Sequence, residues 1–421
     1  METTVTLIVL LFAIVMFVWE KIPLSLTAMI AAVSLTVFGV LTPAQAFAGF
    51  VNSNVILFVA MFIVGGAFFE TGMASKVGGV VTRFAKTERQ LIVAVMMVVG
   101  LMSGVLSNTG TAAVLIPVVI GIAAKSGFAR GRLLLPLVFA AAMGGNLTLI
   151  GAPGNLMGQT ALQEIGMEFG FFTYGMVGLP MLIVGIIFFG LFGQKLLPSA
   201  KDNYPESSFD ESKDFSDVPV WKQTLSWIIL LATLLAMIFE SQIGLPIHVS
   251  GSIGAILLVL TGVITEKQAF NSIDMKVIFL FGGSLALATA LDNSGAGALI
   301  AHGVVDGLGH AASPFVLLAA IFILCAILTQ FMSNTATTAL MVPISMSIAE
   351  ALGADPRAVI MATVIGGSMA YATPIGMPAN TMVLSVGGYR FIDYVKAGLP
   401  LVVIVGIVAL ILLPILFPFF P

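Results

Sequence analysis

The sequence predicts an all-α polytopic membrane protein, an inverted repeat of five transmembrane helices plus one re-entrant hairpin per half, with discontinuous helices. Three observations carry this. Of 421 residues, 59% are hydrophobic and 9% charged, and apolar runs recur from one end of the chain to the other. The triplet Ser-Asn-Thr occurs twice, at Ser107–Asn108–Thr109 and Ser333–Asn334–Thr335, each time in the middle of a long apolar stretch. Finally, short motifs return in the same order in both halves.

Apolar segments lie at about 4–19, 22–41, 54–71, 90–124, 133–163 and 172–197, and again at 223–241, 246–264, 276–291, 314–350, 358–387 and 394–420. Residues 5–19 have neither a basic leader before them nor a small-residue cleavage site after them, so they are read as a first span and not as a signal peptide. The 44 glycines and 19 prolines suit closely packed, interrupted helices. Between the halves, residues 199–222 carry Asp202, Glu206, Asp210, Glu211, Asp214 and Asp217, the composition of a solvated cytoplasmic linker. The first repeat is thus 1–198 and the second 223–421.

Ile22–Pro23 matches Leu245–Pro246, Gly39–Thr42 matches Gly262–Thr265, and Gly72 matches Gly295, all at a spacing of 223. The two triplets stand 226 apart, and Pro117 and Pro343 follow at that same spacing. Thr148–Asn155 aligns with Thr373–Asn380, and Tyr174…Gly178–Leu179–Pro180 with Tyr394…Gly398–Leu399–Pro400. One block could be chance agreement of Gly and Pro; several in order make an internal repeat.

The segments around the triplets, 90–124 and 314–350, are too long for one span and too short for two spans and a loop. A hairpin that enters and leaves on one side fits, and five remaining crossings per half then invert the second half. Charge agrees: with the N-terminus outside, 16 of the 17 basic residues fall in cytoplasmic loops and only Arg357 falls outside. Both termini are expected outside, with the first hairpin opening from the cytoplasm and the second from the exterior.

At each tip one half-helix ends and another begins. Ser, Asn and Thr cap helix starts, and the new half-helix directs unpaired N–H groups and partial positive charge at an anion. The departing half-helix offers carbonyls, which with Ser and Asn oxygens can hold a small hard cation such as sodium. Ser103 and Thr329, four residues before Ser107 and Ser333, could complete cation shells. The breaks Thr148–Asn155 and Thr373–Asn380 put Gly and Pro mid-span and predict broken helices within 133–163 and 358–387.

Other chemistry has little support. Glu70, Glu240 and Asp292 lie at span ends, which leaves a buried proton relay without an obvious carrier. No Lys or Arg is expected in mid-membrane, so an anion there would be met by helix N-termini and bound cations. His248, His302 and His310 read as interfacial, the lone Cys325 as a core residue, and Asn146 as an inert glycosylation match. No nucleophile–base pair points to an enzyme; no organic cofactor and no nucleic-acid partner are expected.

The paired Ser-Asn-Thr triplets with paired Gly-x-Pro-x-Asn breaks, Gly151–Asn155 and Gly376–Asn380, resemble the divalent anion/sodium symporter family, whose members carry dicarboxylates, citrate or sulfate. The resemblance covers nearly the whole chain. It implies a homodimer whose protomers pair a scaffold with an elevator-like transport domain, and two sodium sites. The first site would use Ser103, Ser107, Asn108 and the Gly151 backbone, the second Thr329, Ser333, Asn334 and the Gly376 backbone. The anion would lie between Ser107–Asn108–Thr109 and Ser333–Asn334–Thr335, near Pro153 and Pro378. Ala152 and Met377 depart from the pattern, replacing hydroxyl residues that family carboxylate carriers tend to have before each proline.

The expected function is therefore sodium-coupled symport of a small divalent anion, a C4-dicarboxylate ahead of sulfate, across a bilayer, the bacterial inner membrane. A proton-coupled or exchange-type carrier and a channel with two re-entrant loops are the alternatives.

Overall fold

The computed structural model describes residues 1–421 except 20, 83–86, 199–214, 216, 301–302, 304–312 and 421. Most of the linker, together with Arg83, Lys86, Lys201, Lys213, His302 and His310, lies outside the described residues. The described chain is helical, with no strand among its described residues.

The first half contains α1 (Glu2–Trp19), α2 (Leu24–Val37), α3 (Pro43–Phe47), α4 (Ser53–Glu70), α5 (Met73–Thr82), α6 (Glu88–Ser103), α7 (Asn108–Ser126), α8 (Gly131–Gly144), α9 (Pro153–Glu164) and α10 (Gly175–Leu191). The second contains α11 (Val220–Ile238), α12 (Glu240–Ile243), α13 (Ile247–Leu260), α14 (Glu266–Asn271) and α15 (Met275–Asn293). It continues with α16 (Pro314–Leu328), α17 (Asn334–Leu352), α18 (Pro356–Gly367), α19 (Pro378–Val386) and α20 (Phe391–Leu416). By length and apolarity, five helical stretches among the described residues can cross a bilayer unaided: Pro43–Glu70, Val220–Ile238, Met275–Asn293, Asn334–Leu352 and Phe391–Leu416.

The apolar surface is distributed as lipid requires. Along α10, Met176, Leu179, Ile183, Ile187 and Leu191 are exposed at helical spacing, as are Leu399, Val403, Ile407, Ile411 and Ile415 along α20. By contrast α8 and α18 sit at the centre: from Leu133 to Gly144 and from Ala358 to Gly367 every residue is buried. Glycine lets the outer helices reach that centre. A Cβ on Gly178 would stand 2.1 Å from Asn146 O and one on Gly398 2.0 Å from Tyr371 O, so α10 and α20 pack directly on the backbone of the breaks.

Local chemistry is duplicated between the halves. Thr42 and Gln45 form a capping box at α3, Thr265 and Gln268 at α14. Gly39, Gly72 and Gly127 hold positive φ, and so do Gly262, Gly295 and Gly353. Helix ends thus recur at matched positions, for the same residue-level reasons.

Two boundaries differ from the sequence reading. The helices of the broken segments stop at Gly144 and Gly367, and Pro153 and Pro378 stand at the first position of the next half-helix. The unwound stretches are therefore 145–152 and 368–377, earlier than expected, because proline is tolerated at a helix start where no N–H is needed. Likewise α6 ends at Ser103 and α16 at Leu328, so no continuous helix carries Ser103 onto Ser107 or Thr329 onto Ser333.

Candidate binding site at two helix tips

The two tips are built alike. Ser107 ends the first tip in extended backbone, and its Oγ accepts the N–H of Gly110 at 3.1 Å; Ser333 Oγ accepts the N–H of Ala336 at 3.2 Å. Each cap occupies one orphan donor of the new helix and leaves its own hydroxyl proton free to donate, while the first-turn N–H groups of Asn108, Thr109, Asn334 and Thr335 precede any helical acceptor.

Opposite each tip lies an unwound stretch, several of whose carbonyls are satisfied by a repeated set of bonds. Asn155 Nδ2 donates to Gly145 O and Thr148 O, both at 2.8 Å, and Asn380 Nδ2 to Ala370 O at 2.7 Å and Thr373 O at 3.0 Å. Tyr174 OH donates to Asn155 O at 3.0 Å, and Tyr394 OH to Asn380 O at 2.6 Å. Thr148 Oγ1 donates to Gly104 O and Thr373 Oγ1 to Gln330 O, so each break is tied to its own tip. In a low-dielectric interior these carbonyls would otherwise be costly.

The residues expected at cations are drawn together around carbonyl oxygens. Gly151 comes so close that a Cβ would lie 2.5 Å from Gly145 O and 3.1 Å from Gly104 O, and Gly145 itself packs on the Asn108 side chain. In the second half a Cβ on Gly376 would lie 2.4 Å from Thr329 O. Thr329 Oγ1 is 2.8 Å from Asn334 Oδ1 and 2.7 Å from Gly367 O, one proton between two acceptors. Such an oxygen-rich corner suits a small hard cation. Ser103 donates to Ala141 O at 2.6 Å, the counterpart of the Thr329 bond to Gly367 O, which ties its tip to α8. The side-chain oxygens Oδ1 of Asn155 and Asn380 are buried without a protein partner.

All eight residues expected at an anion, Ser107, Asn108, Thr109, Pro153, Ser333, Asn334, Thr335 and Pro378, line one cavity of about 430 Å³. Ala152 and Met377 line it too. The facing wall comes from Ile22–Ser25 before and in α2, Phe62 of α4, and Asp274, Lys276, Val277 and Leu280 at the start of α15, and Gly154, Asn155, Thr338, Val364, Gly367 and Ser368 complete the lining.

Sequence reasoning missed Ser25, Asp274 and Lys276, which became visible only when α2 and α15 packed beside the tips. Lys276, counted among loop charges, is an exposed cation in the cavity wall at the start of α15. Gln330 was missed as well: it donates to Ala326 O and Met369 O and accepts from Ala372 N–H, stapling the second break. It stands where the first half has Gly104, and its position one residue after Thr329 was the available signal.

Residues 14–366 match the family described as Citrate transporter. The chain is 24% identical to an uncharacterized transporter of Synechocystis sp., over 96% of this chain and 95% of that one. It is also 24% identical to the sodium-dependent dicarboxylate transporter SdcS of Staphylococcus saprophyticus, over 95% and 84% of the two chains. Among solved structures, the YdaH transporter of Alcanivorax borkumensis superposes with a TM-score of 0.66 at 15% identity, covering 97% of this chain and all of that one, a likeness of fold.

Proposed function

Because the chain belongs to the citrate transporter family, and is an integral membrane transporter and not an enzyme, we propose that it is a sodium-coupled symporter of small divalent anions. A C4-dicarboxylate is preferred over sulfate. The observation that carries this reading is the convergence of two capped helix N-termini, from opposite halves of the chain, on one cavity. Each N-terminus carries about half a positive charge. Two such ends supply about one positive charge, and a cation bound behind each tip adds two more, enough to hold a dianion.

Sodium occupies two sites: one at Ser107, Asn108 and the Gly151 backbone, with Ser103 holding that tip, the other at Thr329, Ser333, Asn334 and the Gly376 backbone. Cation binding orders the tips, and the ordered tips then offer their N–H groups to the anion, so that cation and anion bind cooperatively. The halves form an inverted repeat with re-entrant hairpins at α6–α7 and α16–α17. The tips and broken helices travel past a wall that includes α4 and α15 in an elevator-type exchange. The protein works as a homodimer in a bacterial inner membrane, with both termini outside. The relation to SdcS supports dicarboxylate and sodium.

Uptake of labelled succinate and of sulfate into proteoliposomes, with and without an inward sodium gradient, tests the proposal. Sodium-driven succinate accumulation is expected, with loss in Asn108→Ala and Asn334→Ala. Sodium-independent uptake refutes the coupling, and full activity in both variants refutes the site.

A further inference from the structure

The two breaks are held to their tips by unlike means. Gln330 and Gly104 occupy the same place: the carbonyl of each accepts the hydroxyl of its own break, Thr373 or Thr148. Each also follows directly on the residue that bonds the helix opposite, Thr329 to Gly367 O and Ser103 to Ala141 O. In the second half the buried Gln330 side chain spans three points of backbone. Its Nε2 donates to Ala326 O at 2.7 Å and to Met369 O at 2.6 Å, and its Oε1 accepts the Ala372 N–H at 2.9 Å. The end of α16, the tip and the break thus form one bonded unit. The first half has no side chain to do this. A Cβ on Gly104 would stand 3.0 Å from Cβ of Leu147, the residue that precedes Thr148 as Ala372 precedes Thr373. A Cβ on Gly144 would lie 2.1 Å from Gly100 O, so α6 and α8 meet there by bare backbone, and the Leu147 N–H turns back to Gly144 O within its own stretch. Gly144 and Gly145 stand where the second half has Met369 and Ala370, a register fixed by Asn155 and Asn380, which bond Gly145 O and Ala370 O alike.

We propose that Gln330 is a positioning residue that builds the second cation corner before a cation arrives, so that the two sodium sites fill in order. The site at Thr329, Ser333 and Asn334 fills first, and the site at Ser107 and Asn108 fills last. This rests on the sodium-coupled reading above. A set of oxygens already in place binds without the cost of ordering them. Gln330 fixes the break at Met369 and Ala372 and the end of α16 at Ala326, one turn before Thr329, and so sets the approach of Thr329 O to Gly376. The matching oxygens of the first corner belong to Gly104 and Gly145, and a glycine backbone gives up more freedom on being fixed than any other. The Thr148 bond to Gly104 O is shared with the second half; the three Gln330 bonds have no counterpart there. The last cation therefore sits behind Ser107–Asn108–Thr109, and its arrival completes the walls that the anion meets.

Hydrogen-exchange mass spectrometry of the full chain in lipid nanodiscs, with sodium chloride exchanged for choline chloride at constant ionic strength, reads each tip by its own peptide. The peptide spanning Thr329–Thr337 is expected to reach half-protection at a sodium concentration about tenfold below that of the peptide spanning Ser103–Thr111. Gln330→Met keeps an unbranched side chain and removes all three bonds. It should raise the second tip's sodium midpoint about tenfold, to the level of the first. In succinate uptake it should raise the sodium concentration for half-maximal rate more than the KM for succinate at saturating sodium. A merely structural role would lower protection at every sodium concentration and leave the midpoints where they were. Equal midpoints in the wild type, a first tip that fills ahead of the second, or a folded Gln330→Met that keeps the wild-type order overturns the proposal. If Gln330→Met does not fold, the wild-type order decides. Protection that choline matches at both tips refutes the cation sites themselves instead.

Discussion

Asn146 donates from Nδ2 to Ser368 Oγ at 2.5 Å, joining the unwound stretch of the first half to that of the second. Both residues are buried, and Ser368 passes its own proton to Ile365 O at 2.8 Å. Asn146→Ala removes this link between the breaks and leaves the buried Ser368 oxygen without its Asn146 donor. The expected cost is about 1–3 kcal/mol, read as a lower thermal midpoint of the detergent-solubilised protein. An unchanged midpoint would show that the two breaks are held together by packing alone.

Asn155 and Asn380 each bind two carbonyls that no helix can satisfy. Replacing either by Asp keeps the shape and deletes both donors, placing an acceptor against acceptors. Transport should fall at least about tenfold while the protein still elutes as a single species in size-exclusion chromatography. Wild-type uptake by both variants would mean that the carbonyls are satisfied by water instead.

Gly151→Ala places a methyl 2.5 Å from Gly145 O, and Gly376→Ala one 2.4 Å from Thr329 O. Each pushes apart the oxygens proposed to ligate a cation. The sodium concentration for half-maximal uptake should rise in both variants, more than the KM for succinate at saturating sodium. A purely steric defect in folding would lower the maximal rate and leave the sodium dependence alone.

Sodium itself should stabilise the protein. A ligand that binds only the folded state at 100 times its Kd adds about 2.7 kcal/mol. The thermal midpoint is expected to climb with sodium chloride and not with choline chloride, and the increment should shrink in Asn334→Ala, which loses the oxygen 2.8 Å from Thr329 Oγ1. Equal responses to the two salts would remove the case for specific cation sites.

What could be read in the sequence was local. A polar triplet inside an apolar run marks a helix end wherever it is folded, so the restarts at Asn108 and Asn334 follow from composition and capping chemistry. The breaks were visible but displaced, because a glycine–proline motif reads as an interruption although its proline opens the following half-helix. That Lys276 borders the cavity was not visible for a different reason. A lysine just before an apolar run has the same pattern whether it faces cytoplasm or a cavity, and only the packing of α15 and α2 beside the tips distinguishes the two. The same holds for Asn54, whose partners Thr160 and Gln163 lie over 100 residues away.

The bonds that satisfy the two unwound stretches have a mechanical consequence. Their donors and acceptors come from the tips, the half-helices and the two helices packed against them, and Asn146–Ser368 joins the two sets. Displacing these elements as one body through hydrocarbon ruptures none of them. Such a displacement would break the contact from Asn54 to Thr160 and Gln163 of α9. In the proposed exchange the Asn54 amide would then act as a catch on a body whose own polar bonds travel with it.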